Sequence, residues 1–291
     1  MTVRIFLLMM SCLVFVPGWP FAGRAARDNP QEPVPQVYAT KNGRDLRAFV
    51  FHPGPGPKDG SRSAIIIFHG GGWAGGAPKN TFDRGRHFAS LGMVAISAEY
   101  RLSDQKTITP LEAMEDARDI IKWTRANAAS LGIRPDRVAV YGSSAGAHLA
   151  ASTAIFDGIN AGQGPSAVPD AMILVSPAVE VTNDGWLARL LGSRATPESV
   201  SPAEHIRKGL PPTLVLQGNL DTVTPLLRVA VFCKRMRAAG NRCDLVVYPD
   251  VGHVFTPKGI PDDGTPRPDP AVWAEALKKG EEFLKDLGFL D

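Results

Sequence analysis

Ser144 sits in Tyr141-Gly142-Ser143-Ser144-Ala145-Gly146-Ala147-His148, where an apolar run from Val138 to Tyr141 gives way to small residues. A Gly-x-Ser-x-Gly turn between a strand and a helix strains the central serine and exposes its Oγ at the carboxyl end of a sheet. Ser144 fits that frame between Gly142 and Gly146, and Ser143 falls out of it. The chemistry on offer is nucleophilic attack on a carbonyl. A hydroxyl needs a base for this at neutral pH, commonly a histidine oriented by a carboxylate. In a chain with 29 glycines the pattern alone carries little weight, so its partners decide.

Six histidines compete for the role of base. His52 lies in a proline-rich loop, His69 in a glycine turn, His87 in a helical stretch, His148 one turn beyond Ser144, and His205 in an insertion. His253 differs, because Val251-Gly252-His253-Val254-Phe255 follows the last apolar run, Leu245 to Tyr248, and can reach back over a sheet. The acid is expected between serine and histidine in the order Ser, Asp, His. Asp221 meets this in Gly218-Asn219-Leu220-Asp221, after Leu214-Val215-Leu216. Asp250 is the rival, three residues before His253, and Asp221 also has a competing use as cap of the helix after Pro225. His69-Gly70-Gly71-Gly72-Trp73 follows another apolar run, Ala64 to Phe68. Consecutive glycines let N–H groups converge on a cavity and stabilise an oxyanion, here those of Gly71 and Gly72, with Ala145 supplying a third. His69 and Trp73 read as scaffold for that turn, and Arg101 as holding a neighbouring loop.

The elements that must position these groups alternate. Val37 to Thr40 and Asp45 to Phe51 flank Asn42-Gly43, a hairpin signal. The spacing then predicts strands at 64–68, 93–98, 138–141, 171–175, 213–216 and 245–248, with helices at 81–91, 110–131, from 144, 226–239 and 270–287. Thr109, Pro110 and Glu112 open the helix at 110 with a capping box, and Asp269 caps the last helix. Continuous apolar strands alternating with helices imply a mostly parallel sheet covered on both faces, with ligands beyond the carboxyl ends of the strands. Every motif above falls at such an end.

The chain resembles the α/β-hydrolase carboxylesterases, in particular the bacterial hormone-sensitive-lipase group and the small exported feruloyl and acetyl-xylan esterase-like proteins. The resemblance rests on His69-Gly70-Gly71-Gly72-Trp73, Glu99-Tyr100-Arg101-Leu102, Gly142 to Ala150, Gly218 to Asp221 and Gly252-His253, and covers about Asp45 to Leu287. It implies an α/β-hydrolase fold with an amino-terminal hairpin and a modest lid insertion. It implies Ser144 as nucleophile, His253 as base then acid, Asp221 as its orienter, and Gly71, Gly72 and Ala145 as oxyanion hole, with no cofactor and no metal. Ser143 stands where the lipase group commonly has Asp, which favours the smaller esterase branch. The implied substrates are short-chain acyl esters or esters of sugars and plant polymers. Trp186, Leu187, Leu190, Leu191 and His205, in the insertion 178–212, offer either pocket lining or simple packing.

The chain as a whole agrees with an exported globular enzyme. It has 291 residues, 44% hydrophobic and 21% charged, with 32 basic against 29 acidic side chains. No run of like charges tracks a phosphate backbone, so nucleic acid is not an expected partner. Arg4, the apolar run Ile5 to Val16 and the small residues to Ala25 read as a signal peptide over 1–25, with a retained anchor as alternative. No later run is long enough to span a bilayer, so no stable membrane insertion is expected once the signal is removed. A linker, 26–36, then leads to one domain, 37–291. Cys233 and Cys243 have the spacing of a helix end and the next strand, open to a disulfide or to two buried thiols. A prolyl-oligopeptidase-type peptidase shares the sheet and the order of the triad, but there is no room for a propeller. A non-catalytic receptor on the same scaffold would be expected to lack a triad member.

Overall fold

In a computed structural model of the chain, residues 32–54, 60–156 and 164–291 are described. The expected signal peptide and the start of the expected linker lie outside the described residues. Strands β1 (Val34–Lys41), β2 (Arg44–Phe51), β3 (Arg62–Phe68), β4 (Val94–Ala98), β5 (Ile133–Ser143), β6 (Ala171–Val175), β7 (Thr213–Gly218) and β8 (Cys243–Tyr248) form one sheet. Their order is β1-β2-β4-β3-β5-β6-β7-β8. The β1–β2 and β2–β4 pairs are antiparallel, and every pair from β4–β3 to β7–β8 is parallel. Strand β1 begins inside the expected linker and includes Pro35. An edge strand can hold a proline, because its outer N–H positions need no ladder partner.

The helices are α1 (Phe82–Ser90), α2 (Pro110–Ala126), α3 (Ala128–Leu131), α4 (Ala145–Ile155), α5 (Gly185–Leu191), α6 (Leu226–Ala238) and α7 (Pro270–Asp286). The alternation of side chains along a strand divides the interior in two. Ala64, Ile66 and Phe68 of β3 join Val138 and Val140 of β5 in a core with residues of α2, α4, α5 and α6. Ile65, Ile67, Ala139 and Tyr141 face the other way, onto Phe88 of α1 and Phe283 and Leu284 of α7. Both faces are therefore apolar, which is why 64–68 of β3, 138–141 of β5 and all of β6 read as unbroken hydrophobic runs.

The helix expected over 110–131 breaks at Asn127, whose side-chain amide donates to the Trp123 carbonyl at 2.9 Å while its backbone leaves the helical region (φ −101°, ψ 18°). Such a local side-chain bond competes with helix continuation. Strand β5 starts at Ile133, earlier than expected, across an irregularity in its pairing with β3. Arg101, in the irregular stretch after β4, is tied to α2: Nε and Nη2 donate to the fully buried Asp116, Nη2 also meeting Glu115. Cys233 of α6 and Cys243 of β8 form a disulfide with Cα atoms 5.5 Å apart. Among the described residues no helix is long and apolar enough to cross a membrane.

Candidate active site

Strand β5 delivers the serine. Ser144 stands between β5 and α4 at φ 55°, ψ −123°, a conformation that non-glycine residues rarely adopt. The flanking glycines are required sterically: a Cβ on Gly142 would lie 2.3 Å from the Gly146 carbonyl oxygen, and one on Gly146 would lie 2.4 Å from those of Phe68 and His69. The closeness of β3, β5 and α4 thus depends on two absent methyl groups. Ala145 opens α4, so its N–H is among the first four of a helix, which have no intrahelical acceptor.

The turn after β3 carries Gly71, Gly72 and Trp73 at positive φ (128°, 56° and 60°). The turn closes on itself where the Ala74 and Gly75 amides donate to the Gly71 carbonyl. His69 Nδ1 lies 2.7 Å from the Gly70 carbonyl, which can only accept, so that nitrogen carries the proton. The His69 ring stacks on Tyr100, whose hydroxyl donates to the His69 carbonyl at 2.8 Å. Trp73 Nε1 donates to His148 Nδ1 at 3.2 Å, and His148 Nε2 donates to the Val200 carbonyl at 2.8 Å. His148 is completely buried, and burial lowers its pKa to about 4, so it is a neutral strut between the glycine turn and the insertion.

The acid loop follows β7. Asp221 Oδ1 accepts the amides of Val223 and Thr224 at 3.0 and 2.7 Å, while Oδ2 accepts the Thr224 hydroxyl at 2.9 Å and Gln217 Nε2 at 3.0 Å. The carboxylate closes this turn and does not cap α6, whose N-cap is Pro225 with no side-chain bond. Asp250, the rival acid, is exposed and pairs with Lys258 at 3.5 Å.

The loop after β8 brings His253 back over the sheet. Its Nδ1 lies 3.0 Å from Asp221 Oδ2 and 3.2 Å from Oδ1, and its Nε2 lies 2.9 Å from Ser144 Oγ. With Asp221 accepting at Nδ1, that nitrogen carries the ring proton and Nε2 is free to take one from Ser144. Val254 and Phe255 have positive φ (49° and 62°), a strained return held by the Val254 amide donating to Ser176 Oγ at 2.9 Å. The sequence offered no signal for Ser176, Gln217 or Thr224 as supports, since each is an ordinary polar residue until the loops converge. Among the described residues no cluster of three or more His, Cys, Asp or Glu side chains is arranged to hold a metal ion.

A cavity of about 800 Å³ opens over Ser144 and His253, lined by Gly70, Gly71 and Gly72 on one side and by Trp186, Val223 and Trp273 on others. Of the insertion residues expected as either lining or packing, Trp186 lines the cavity, and its Nε1 donates to the Gly72 carbonyl at 3.0 Å. Leu187, Leu190 and Leu191 are buried in the core. His205 is exposed and bonded to the Glu198 carbonyl at 3.1 Å, away from the cavity.

A family model described as alpha/beta hydrolase fold matches residues 65–257, from β3 to the loop that carries His253. The chain belongs to the alpha/beta hydrolase fold family. Within this family it is similar to esterase 2 of Thermogutta terrifontis, with a TM-score of 0.79 and 32% identity over 90% of this chain and 94% of that one. It is also 27% identical to esterase LipQ and 26% identical to esterase LipC of Mycobacterium tuberculosis, over 67% and 66% of its length. The chain spans about half the length of these two curated relatives, 51% and 52%. A fungal non-reducing polyketide synthase of Emericella nidulans is 32% identical over 145 residues, which are 6% of that much longer protein.

Proposed function

We propose that this alpha/beta hydrolase is a serine carboxylesterase working through an acyl-enzyme. The observation that carries the reading is the unbroken hydrogen-bonded series from the Asp221 carboxylate through the His253 imidazole to the Ser144 hydroxyl. Ser144 Oγ attacks the ester carbonyl while its proton passes to His253 Nε2. The carbonyl oxygen becomes an oxyanion facing the N–H groups of Gly71, Gly72 and Ala145, each worth about 3 kcal/mol in the transition state. His253 then returns the proton to the departing alcohol. Water, deprotonated by the same nitrogen, attacks the acyl carbon and releases the acid and Ser144.

The acyl group is short, acetyl to butyryl, and the alcohol is a small molecule, a sugar or a plant polymer. In support, the insertion forms one short α-helix, α5, and two single-turn 3-10 helices, with Trp186 of α5 at the cavity. Esterase 2 of Thermogutta terrifontis has been solved with propionate and with butyrate bound. A relative of the relevant kind is endo-1,4-beta-xylanase B of Butyrivibrio fibrisolvens, 26% identical over 68% of this chain. The protein acts after export, a reading supported by the apolar run Ile5 to Val16 and by the Cys233–Cys243 disulfide, a bond that persists in oxidising compartments. The test is Ser144→Ala assayed on p-nitrophenyl acetate, butyrate and decanoate. Loss of at least about four orders of magnitude in kcat is expected, with the acetate and butyrate esters preferred by the parent. Retained turnover in the variant would sink the assignment, and a preference for decanoate would sink the short-acyl part.

A further inference from the structure

Asp262 belongs to none of the motifs above. It stands in Pro261-Asp262-Asp263-Gly264, beyond the loop that carries His253, and is 9% exposed. Its Oδ2 accepts the His253 amide at 2.8 Å and the Thr222 amide at 3.0 Å, and its Oδ1 accepts the Thr222 hydroxyl at 2.5 Å. Thr222 directly follows Asp221. One carboxylate therefore joins the main chain of the base to the residue next to the acid, 40 positions away in one case and 9 in the other. The approach is tight, since a Cβ on Gly252 would lie 2.4 Å from Asp262 Oδ2. Burial alone would raise the Asp262 pKa, but the Thr222 and His253 donors and the nearby imidazole hold it below the ordinary carboxylate value.

We propose that Asp262 is a positioning residue for the hydrolysis: it fixes the His253 main chain against the acid loop, and its negative charge supports the imidazolium that forms during turnover. This rests on the esterase reading above. In the attack step the Ser144 O–H bond breaks, the proton moves to His253 Nε2, and Oγ bonds to the carbonyl carbon; Asp262 neither takes nor gives a proton. Two carboxylates act on His253: Asp221, from the loop after β7, at imidazole Nδ1, and Asp262, bonded to the main-chain amide and near enough to interact with the ring charge. Arg84, Asp184 and Asp263 line the same cavity. Removing the Asp262 charge weakens the hold of His253 on a proton, so the acidic limb of kcat/KM moves to lower pH. A clamp that acted only on stability would leave that limb in place.

The experiment compares the full chain with Asp262→Asn, Asp262→Glu and Thr222→Val on p-nitrophenyl butyrate from pH 4 to 9. Rates are normalised to active sites titrated with a fluorophosphonate. Asp262→Asn is expected to lower kcat by about tenfold to a hundredfold, with little change in KM, and to shift the acidic limb down by about half a unit or more. Thr222→Val keeps the charge and leaves the limb where it was, and Asp262→Glu returns it towards the parent position. Should Asp262→Asn fail to fold, Asp262→Ser, which keeps an acceptor without the charge, reads the same limb. An unmoved limb in the uncharged variant, or a loss of kcat that vanishes on normalisation, overturns the proposal. If the parent itself neither hydrolyses the ester nor takes the probe, it is the esterase reading that fails.

Discussion

At the scale of single residues, the proposed mechanism makes the reactivity of Ser144 depend on where the His253 proton sits. Asp221 holds it at Nδ1, and four donors from Gln217, Val223 and Thr224 hold Asp221. Asp221→Asn keeps the size of the side chain but can offer an N–H towards Nδ1, which favours the tautomer protonated at Nε2. Such a histidine cannot accept from Ser144. We expect kcat to fall by about four orders of magnitude near neutral pH, with the fold intact by circular dichroism and the change read on p-nitrophenyl butyrate. Ser144, Asp221 and His253 were legible beforehand because each follows an apolar run and sits beside a glycine or in a turn-prone stretch. Asp262 was not, because Pro-Asp-Asp-Gly reads as any surface turn until Thr222 and His253 are folded onto it. The leucines of α5 were ambiguous for a related reason: spacing says that they share a face, not whether core or cavity lies opposite.

At the scale of elements, the packing of α4 into the angle between β3 and β5 decides whether the serine turn forms. Gly146→Ala places a methyl group against the Phe68 and His69 carbonyls. Overpacking of this kind costs about 1–3 kcal/mol, and here it also displaces the glycine turn. A lower urea midpoint is expected, together with loss of fluorophosphonate labelling; unchanged labelling would contradict the steric argument. A second test concerns α2, where Asp116 is fully buried against Arg101. Asp116→Ala leaves that guanidinium with only the half-exposed Glu115 as carboxylate partner and should cost about 3 kcal/mol in equilibrium unfolding. The alternation of strands and helices was readable because both faces of the sheet are apolar. The stop at Asn127 was not, since a helix-compatible run of Ala and Leu continues beyond it and the side-chain bond to Trp123 shows only in three dimensions.

At the scale of the whole molecule, stability should fall on the acid side before the carboxylates are reached. His148 has a native pKa of about 4 against an ordinary value of 6.5, so the native state binds its proton less readily than the unfolded chain. Its contribution is fully present above about pH 6.5 and is lost as the pH falls towards 4, amounting to about 3 kcal/mol. Burial lowers the His69 pKa in the same direction. We expect the urea midpoint to decline between pH 6.5 and 4 and the slope to flatten in His148→Asn; an equal slope in both proteins would remove His148 as the cause.

The sheet order also bears on how the chain comes off the ribosome. Ser144 lies on central β5, whereas its hydrogen-bonding partner His253 is 109 residues further on, after edge strand β8. At translation rates of about 5–20 residues per second, Ser144 is made roughly 5–20 s before His253. During that interval the growing polypeptide carries Ser144 without the residue proposed to take its proton. Under the proposed mechanism a chain that stops short of His253 is inactive, a consequence of the distance along the chain between the two residues.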